Sequence, residues 1–162
     1  MRSKLTIRPD RVLSTDDTIE EFAKKSGQTY NQVWKSSIKW AEEVMKQQMY
    51  GFISNKMDFI VDRTLLTKKS RRSMMDKISY MAKGLGVSVE FQIYFLDTDF
   101  DIITRVNSER TISGRSLPID TLEEMMNRVV LPQADEGFTD IFVVRRDSRG
   151  QFISHTQGSK SY

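Results

Sequence analysis

Residues 59–72, Phe-Ile-Val-Asp-Arg-Thr-Leu-Leu-Thr-Lys-Lys-Ser-Arg-Arg, hold the densest set of groups in this chain that could do chemistry. An apolar, β-branched run ends in the carboxylate of Asp62, with Arg63 beside it. After a short turn, Thr67 is placed to cap a helix whose first turns carry Lys68, Lys69, Arg71 and Arg72. A helix N-terminus is the positive end of the macrodipole, so each cation there costs about 0.3–1 kcal/mol at low salt. Cations gathered beside free backbone N–H groups make an anion site, and phosphate is the usual anion. The same four charges would also suit a solvated basic face, and the segment taken alone fits either reading.

The elements that must position these groups follow from periodicity. Short strands are expected over 11–14, 57–61, within 87–96 and over 141–144. Helices are expected over 20–25, ended by Ser26-Gly27, and over 29–49, where Tyr30, Val33, Trp34, Ile38, Ala41, Val44 and Met45 form an apolar stripe. Further helices are expected over 68–83, stopped at Gly84, over 99–110, and from Pro118 to 130. Trp34, Trp40 and Tyr30 could stack on bases, but their place in a helical segment favours packing. The organisation reads as one α/β domain over 1–147 and a polar, disordered tail over 148–162.

In parallel sheets ligands bind beyond the carboxyl ends of the strands. Three strand candidates end in acids there: Asp16 and Asp17 after Val12-Leu13, Asp62 after Ile60-Val61, and Asp97 after Phe95-Leu96. Asp17 and Asp97 suit helix N-caps, the commonest role for Asp in that position. Asp62 lies too far ahead of its helix for that. With the basic helix start, these acids would make a phosphate-and-metal edge. A second cationic segment, 98–118, carries Arg105, Arg110 and Arg115. Arg110 suits a helix C-terminus. Arg115 lies in a Ser-Gly-Arg-Ser stretch expected to be a flexible loop, able to close over a nucleotide or simply to decorate a solvated face.

Composition narrows the chemistry. The 162 residues have no cysteine and a single histidine, His155. Disulfides and thiolate catalysis are therefore excluded, a single histidine rules out His-based metal cages, and its place in a polar tail argues against a catalytic triad. The net charge of +3 permits a nucleic-acid or nucleotide partner without requiring one. Met1-Arg2-Ser3-Lys4 leads into no apolar run, and no stretch is long enough to cross a bilayer, so no membrane role and a cytoplasmic location are expected.

Taken in order, Ser14-Thr15-Asp16-Asp17, Gly27-Gln28-Thr29-Tyr30, Asp62-Arg63-Thr64 with Ser70-Arg71-Arg72, Arg105-Val106-Asn107-Ser108-Glu109-Arg110, Leu117-Pro118-Ile119-Asp120 and Asp135-Glu136-Gly137-Phe138 resemble the polynucleotide-kinase-like P-loop kinases of phages and bacteria, over about residues 11 to 146. The resemblance implies a three-layer parallel sheet and ATP-dependent phosphorylation of a polynucleotide or other hydroxyl acceptor, with ATP and Mg2+ as cofactors. It also implies a location in the host cytoplasm if the chain is phage-encoded. By position, Asp16 matches the general base and Arg110 the lid arginine that touches the donor phosphates. Arg105 and Arg115 are possible helpers on the cofactor side. Asp62 and Arg63 match the acceptor pocket, whose basic wall would be Lys69, Arg71 and Arg72.

Three departures matter. The arginine that 5′-hydroxyl kinases carry three residues past the base is Ile19 here, which leaves the acceptor open. The family's Asn after Asp-x-Thr is Leu65. No Gly-x-x-x-x-Gly-Lys-Ser/Thr loop lies between a strand and a helix, and Gly158-Ser159-Lys160-Ser161 lacks the first glycine and both flanking elements. The expected sheet therefore lacks its first, central strand. The loop would have to come from an upstream segment, through a misplaced start, a split gene or a fragment, or from a second chain that completes the sheet. The alternatives are a degenerate, non-catalytic module that binds phosphate or nucleic acid, and a structural half of a two-chain complex.

Overall fold

A computed structural model describes residues 8–146 and 152–156. The fold is mixed α/β, with five helices and two small sheets among the described residues. Two compact units divide the chain: Met1–Thr64 with Tyr80–Val87, and Leu65–Ser79 with Ser88–Tyr162.

In the first unit, a 3-10 turn at Pro9–Arg11 leads into β1, Val12–Ser14. Helix α1, Thr15–Ser26, starts because Ser14 is extended and its hydroxyl accepts the N–H of Asp17 at 3.2 Å. Asp16 and Asp17 then lie in the first turn, where carboxylates favour the dipole. The helix stops at Gly27, whose φ of 68° is left-handed and open at little cost only to glycine. Helix α2, Tyr30–Ser54, opens on a capping box between Thr29 and Gln32.

The side chains α2 buries are Val33, Ser37, Ala41, Met45, Met49 and Ile53, one every fourth residue. Val33 and Ala41 pack with Ile19 and Ala23 of α1, a fully buried Val or Ile side chain being worth about 1.5–3 kcal/mol. Trp40 meets the Phe22 ring at 5.8 Å, and both Trp40 and Trp34 stay about half exposed, outside the buried core. Strand β2, Ile60–Asp62, pairs parallel with β1 and sets Asp62 opposite Ser14.

In the second unit, α3, Lys68–Gly84, begins with Thr67 and Ser70 exchanging hydrogen bonds between side chain and backbone, as expected of a cap at Thr67. Strand β3, Gln92–Asp97, pairs parallel with β4, Asp140–Arg146. Helices α4, Phe100–Glu109, and α5, Ile119–Asn127, lie between these strands in sequence. Ile141, Val143, Leu122 and Met75 are buried in this unit.

Two expectations need correction. The strands do not form one three-layer parallel sheet: β1-β2 is a two-stranded sheet, and β3-β4-β5 is a three-stranded mixed one. Strands of three residues offer few ladder bonds, and among the described residues β2 pairs only with β1, and β3 only with β4. The tail expected to be disordered contains β5, Phe152–Thr156, antiparallel to β4. Phe152 and Ile153 open a five-residue strand that extends the ladder of β4, which the polar composition of the tail obscured. The Gly158-Ser159-Lys160-Ser161 stretch lies outside the described residues.

Candidate functional site

The acids of the first unit converge. Parallel pairing of β1 and β2 puts Ser14 and Asp62 side by side at their carboxyl ends, and α1 starts directly from Ser14. Burial pushes the Asp62 carboxyl above its ordinary value, and the charges of Asp17 and Asp16 push it further. The carboxylate of Asp16 is held from the other side, because the Tyr30 hydroxyl donates to its Oδ1 at 2.7 Å. Tyr30 reaches it because the left-handed turn at Gly27 folds the start of α2 back alongside α1. Arg63 donates to the Thr15 hydroxyl at 2.8 Å and pairs with Glu42 at 3.4 Å. Asp16, Asp62 and Arg63 therefore share one edge, as their positions at strand ends led one to expect. Tyr30, Thr15 and Glu42 join them, and neither periodicity nor spacing marks those three.

Because Asp62 is held above its unfolded pKa, the folded chain binds more protons than the unfolded chain between the two values. Stability then falls as pH rises through that interval. Asp62→Asn is accordingly expected to raise the melting temperature at pH 7 and to have no such benefit below the ordinary carboxyl range. Thermal melts at the two pH values check this, and a lower melting temperature for the variant at pH 7 counts against it.

The basic helix start in the second unit is less exposed than its sequence suggests. Arg71 is 1% exposed and faces inward. Its Nε and Nη2 donate to the two carboxylate oxygens of Glu136, both at 2.7 Å, and its Nη1 donates to the carbonyls of Leu65, Leu66 and Val130. Arg71 is thus removed from the expected substrate-binding set, since its guanidinium is fully engaged and out of reach of a ligand. The Arg71 guanidinium holds the Glu136 carboxyl below its usual range, against the opposing effect of burial.

Lys68 meets Asp135 at 2.6 Å, and Arg72 meets Asp76 at 3.1 Å, one turn along α3. A shallow cavity of about 440 Å³ is lined by Lys68, Lys69, Arg72, Asp135 and Glu136. Lys69 is its cation without an ion pair among the described residues. The buried ion pair carried a sequence signal: residues 71, 75, 78 and 82 form one helical stripe, apolar except for the arginine.

Asp97 does not cap α4. It pairs in register with Arg145 of β4, whose Nε lies 2.6 Å from its Oδ2, and Asp99 takes the N-terminal position instead. Arg110 ends α4 as expected, its N–H bonded to the Val106 and Asn107 carbonyls. The stretch around Arg115 follows a hydrogen-bonded turn at the end of α4. The Arg115 N–H bonds to the Arg110 carbonyl at 3.1 Å, and the turn is closed by Asn107. Arg105 and Arg110 are exposed, and Arg115 is half-buried. Among the described residues, no group of three or more His, Cys, Asp or Glu side chains could hold a metal ion, and no helix is long and apolar enough to cross a membrane. Comparison with protein-family models, curated proteins and solved structures gives no match.

Proposed function

We propose that this chain carries the acceptor side of a kinase-like phosphotransferase that transfers a phosphoryl group from ATP to a hydroxyl. The observation that carries this reading is the edge formed by Asp16 and Asp62 at the carboxyl ends of two parallel strands, with Asp16 oriented by Tyr30. In the step, the Asp16 carboxylate takes the hydroxyl proton as the acceptor oxygen bonds to the γ-phosphorus. The bond from that phosphorus to the bridging oxygen breaks, and ADP leaves. The resemblance, rather than any observed proximity to Asp16, assigns the charge on the donor phosphates to Arg110, with Arg105 and Arg115. ATP and Mg2+ belong to this reading through the resemblance.

A phosphate loop would come from a further segment or a second chain, whose strand could add to an open edge of β2 or β3. Ile19 is fully buried in the α1–α2 core, so no side chain at that position can reach an acceptor phosphate. Acceptor recognition by a base-adjacent arginine is therefore not part of the proposal, and the acceptor is a hydroxyl compound of wider class than a 5′-hydroxyl polynucleotide.

Catalysis of this kind is mostly positioning and charge stabilisation, and the loop's lysine and amides supply much of both. Residues 1–162 by themselves are expected not to turn over ATP, and Mg2+-dependent hydrolysis by the purified chain would refute this. The test of the proposal itself is phosphoryl transfer from ATP by the chain joined to the sequence that precedes it in the reading frame. Absence of transfer to any hydroxyl acceptor overturns it.

The basic cavity favours a second reading, a non-catalytic module that binds nucleic acid through Lys69 and Arg72. That reading expects salt-dependent binding that Lys69→Glu with Arg72→Glu abolishes while the melting temperature is unchanged. Fluorescence anisotropy with a labelled oligonucleotide decides it, and equal affinity of the double variant rejects it.

A further inference from the structure

The segment between α4 and α5 carries Arg110 and Arg115, and the shape of its turn decides where those cations point. One side chain closes that turn. The Asn107 amide donates to the Leu117 carbonyl at 2.8 Å and accepts the Leu117 N–H at 2.8 Å, joining residues ten apart in the chain. Leu117 needs such a partner. It precedes Pro118, which keeps it out of the helical region and leaves its two backbone groups without helical bonds. A primary amide is the side-chain group that offers a donor and an acceptor side by side in this way. Within the closed segment, the Arg110 carbonyl accepts the Ser113 N–H, the Arg115 N–H and the Ser113 hydroxyl at 3.1, 3.1 and 2.9 Å. Gly114, at a φ of 66°, makes the reversal that allows this.

Resting on the assignment of these arginines to the donor phosphates, we propose that Asn107 is a positioning residue for the arginine turn. By tying the end of α4 to the start of α5, it holds Arg105, Arg110 and Arg115 in one arrangement before a polyphosphate arrives. Without the clamp, residues 110–117 would keep only the short-range bonds of the turn, and binding would have to fix its junction with α5 as well as three long side chains. Asn107 itself touches no phosphate in this scheme; it acts through the backbone that carries the arginines.

Inorganic tripolyphosphate is the probe, titrated calorimetrically into the 162-residue protein, with amide hydrogen exchange read at Leu117. The expected result is a protected Leu117 amide in the wild type, faster exchange in Asn107→Ala, and affinity that falls roughly tenfold. Asn107→Asp should also bind weakly at neutral pH, because its carboxylate accepts the Leu117 N–H but repels the Leu117 carbonyl. In an Arg105→Ala/Arg110→Ala/Arg115→Ala background, Asn107→Ala should cost nothing further, which a merely structural role would not produce.

Unchanged affinity of Asn107→Ala, an equal loss in the arginine-free background, or an unprotected Leu117 amide in the wild type overturns the inference. If the triple-arginine variant binds as the wild type does, or the wild type does not bind, the assignment of the arginines fails and the inference falls with it. Loss of Leu117 protection in Asn107→Ala would then still show that the clamp exists, so the two failures are told apart.

Discussion

Replacing Glu136 by glutamine, or Arg71 by methionine, is expected to destabilise the protein by about 3–5 kcal/mol, against the 5–15 kcal/mol typical of a whole domain. Arg71 and Glu136 are almost fully buried, at 1% and 4% exposure. Glu136→Gln keeps the shape but leaves a buried guanidinium facing a neutral amide. Arg71→Met leaves a buried carboxylate and removes the donor that satisfies the carbonyls of Leu65, Leu66 and Val130. The cost comes from the uncompensated partner rather than from the attraction lost. The double variant Arg71→Met/Glu136→Met should therefore lose less than the two single variants together.

Urea denaturation measures all three, and single variants within about 0.5 kcal/mol of the wild type would show that the pair does not hold this unit together. The sign with pH is fixed as well. Because the folded-state pKa of Glu136 is depressed, its contribution is complete above the unfolded carboxyl value and is lost as pH falls through the folded one. Acid sensitivity should therefore decrease in Glu136→Gln. The exposed Lys68–Asp135 pair serves as a contrast, since screening by water leaves such pairs nearly neutral.

Asp16→Asn carries the largest expected effect on activity. Under the proposed function, in phosphoryl transfer by the chain together with a segment that supplies a phosphate loop, kcat should fall by about 10²–10⁴-fold, the usual contribution of a positioned general base. The amide cannot take the hydroxyl proton, yet it can still accept the Tyr30 hydrogen bond, so the edge should keep its shape. KM for ATP should change little, because Asp16 is assigned to the acceptor and the phosphates are assigned to the loop and the arginines. Initial rates over a matrix of ATP and acceptor concentrations separate the two. A fall of only a few-fold would remove Asp16 from the catalytic role and shift the assignment toward Asp62.

Much of the local structure was legible in the residues themselves. The stop of α1 after Ser26 follows from Gly27, the start of α3 from Thr67, and the length of α2 from its apolar repeat, although it runs five residues beyond Met49 to Ser54. The convergence of Asp16 and Asp62 was legible in part: one acid ends β2 and the other opens the helix that follows β1, so parallel pairing of the two strands brings both to one edge. The partners of those acids were not. Tyr30 and Glu42 reach the edge only because the α1–α2 turn and the packing of α2 bring them there.

The charges at the start of α3 separate what sequence alone determines from what needs the tertiary structure. Sequence determines that a helix begins after Thr67, that its first turns are basic, and that an acid closes the strand before it, because caps, periodicity and strand ends depend on neighbours within a few residues. Which cation meets a ligand and which disappears into the core depends on partners far away. The Arg71–Glu136 contact spans 65 residues and the Lys68–Asp135 contact 67. The same holds for the arginine turn, where ten residues separate Asn107 from Leu117. Of the segment met first, Asp62 stays exposed at the end of β2 and Lys69 has no ion pair among the described residues, while Arg71 became part of the scaffold. That division was settled by which carboxylate the chain brought within reach of each charge.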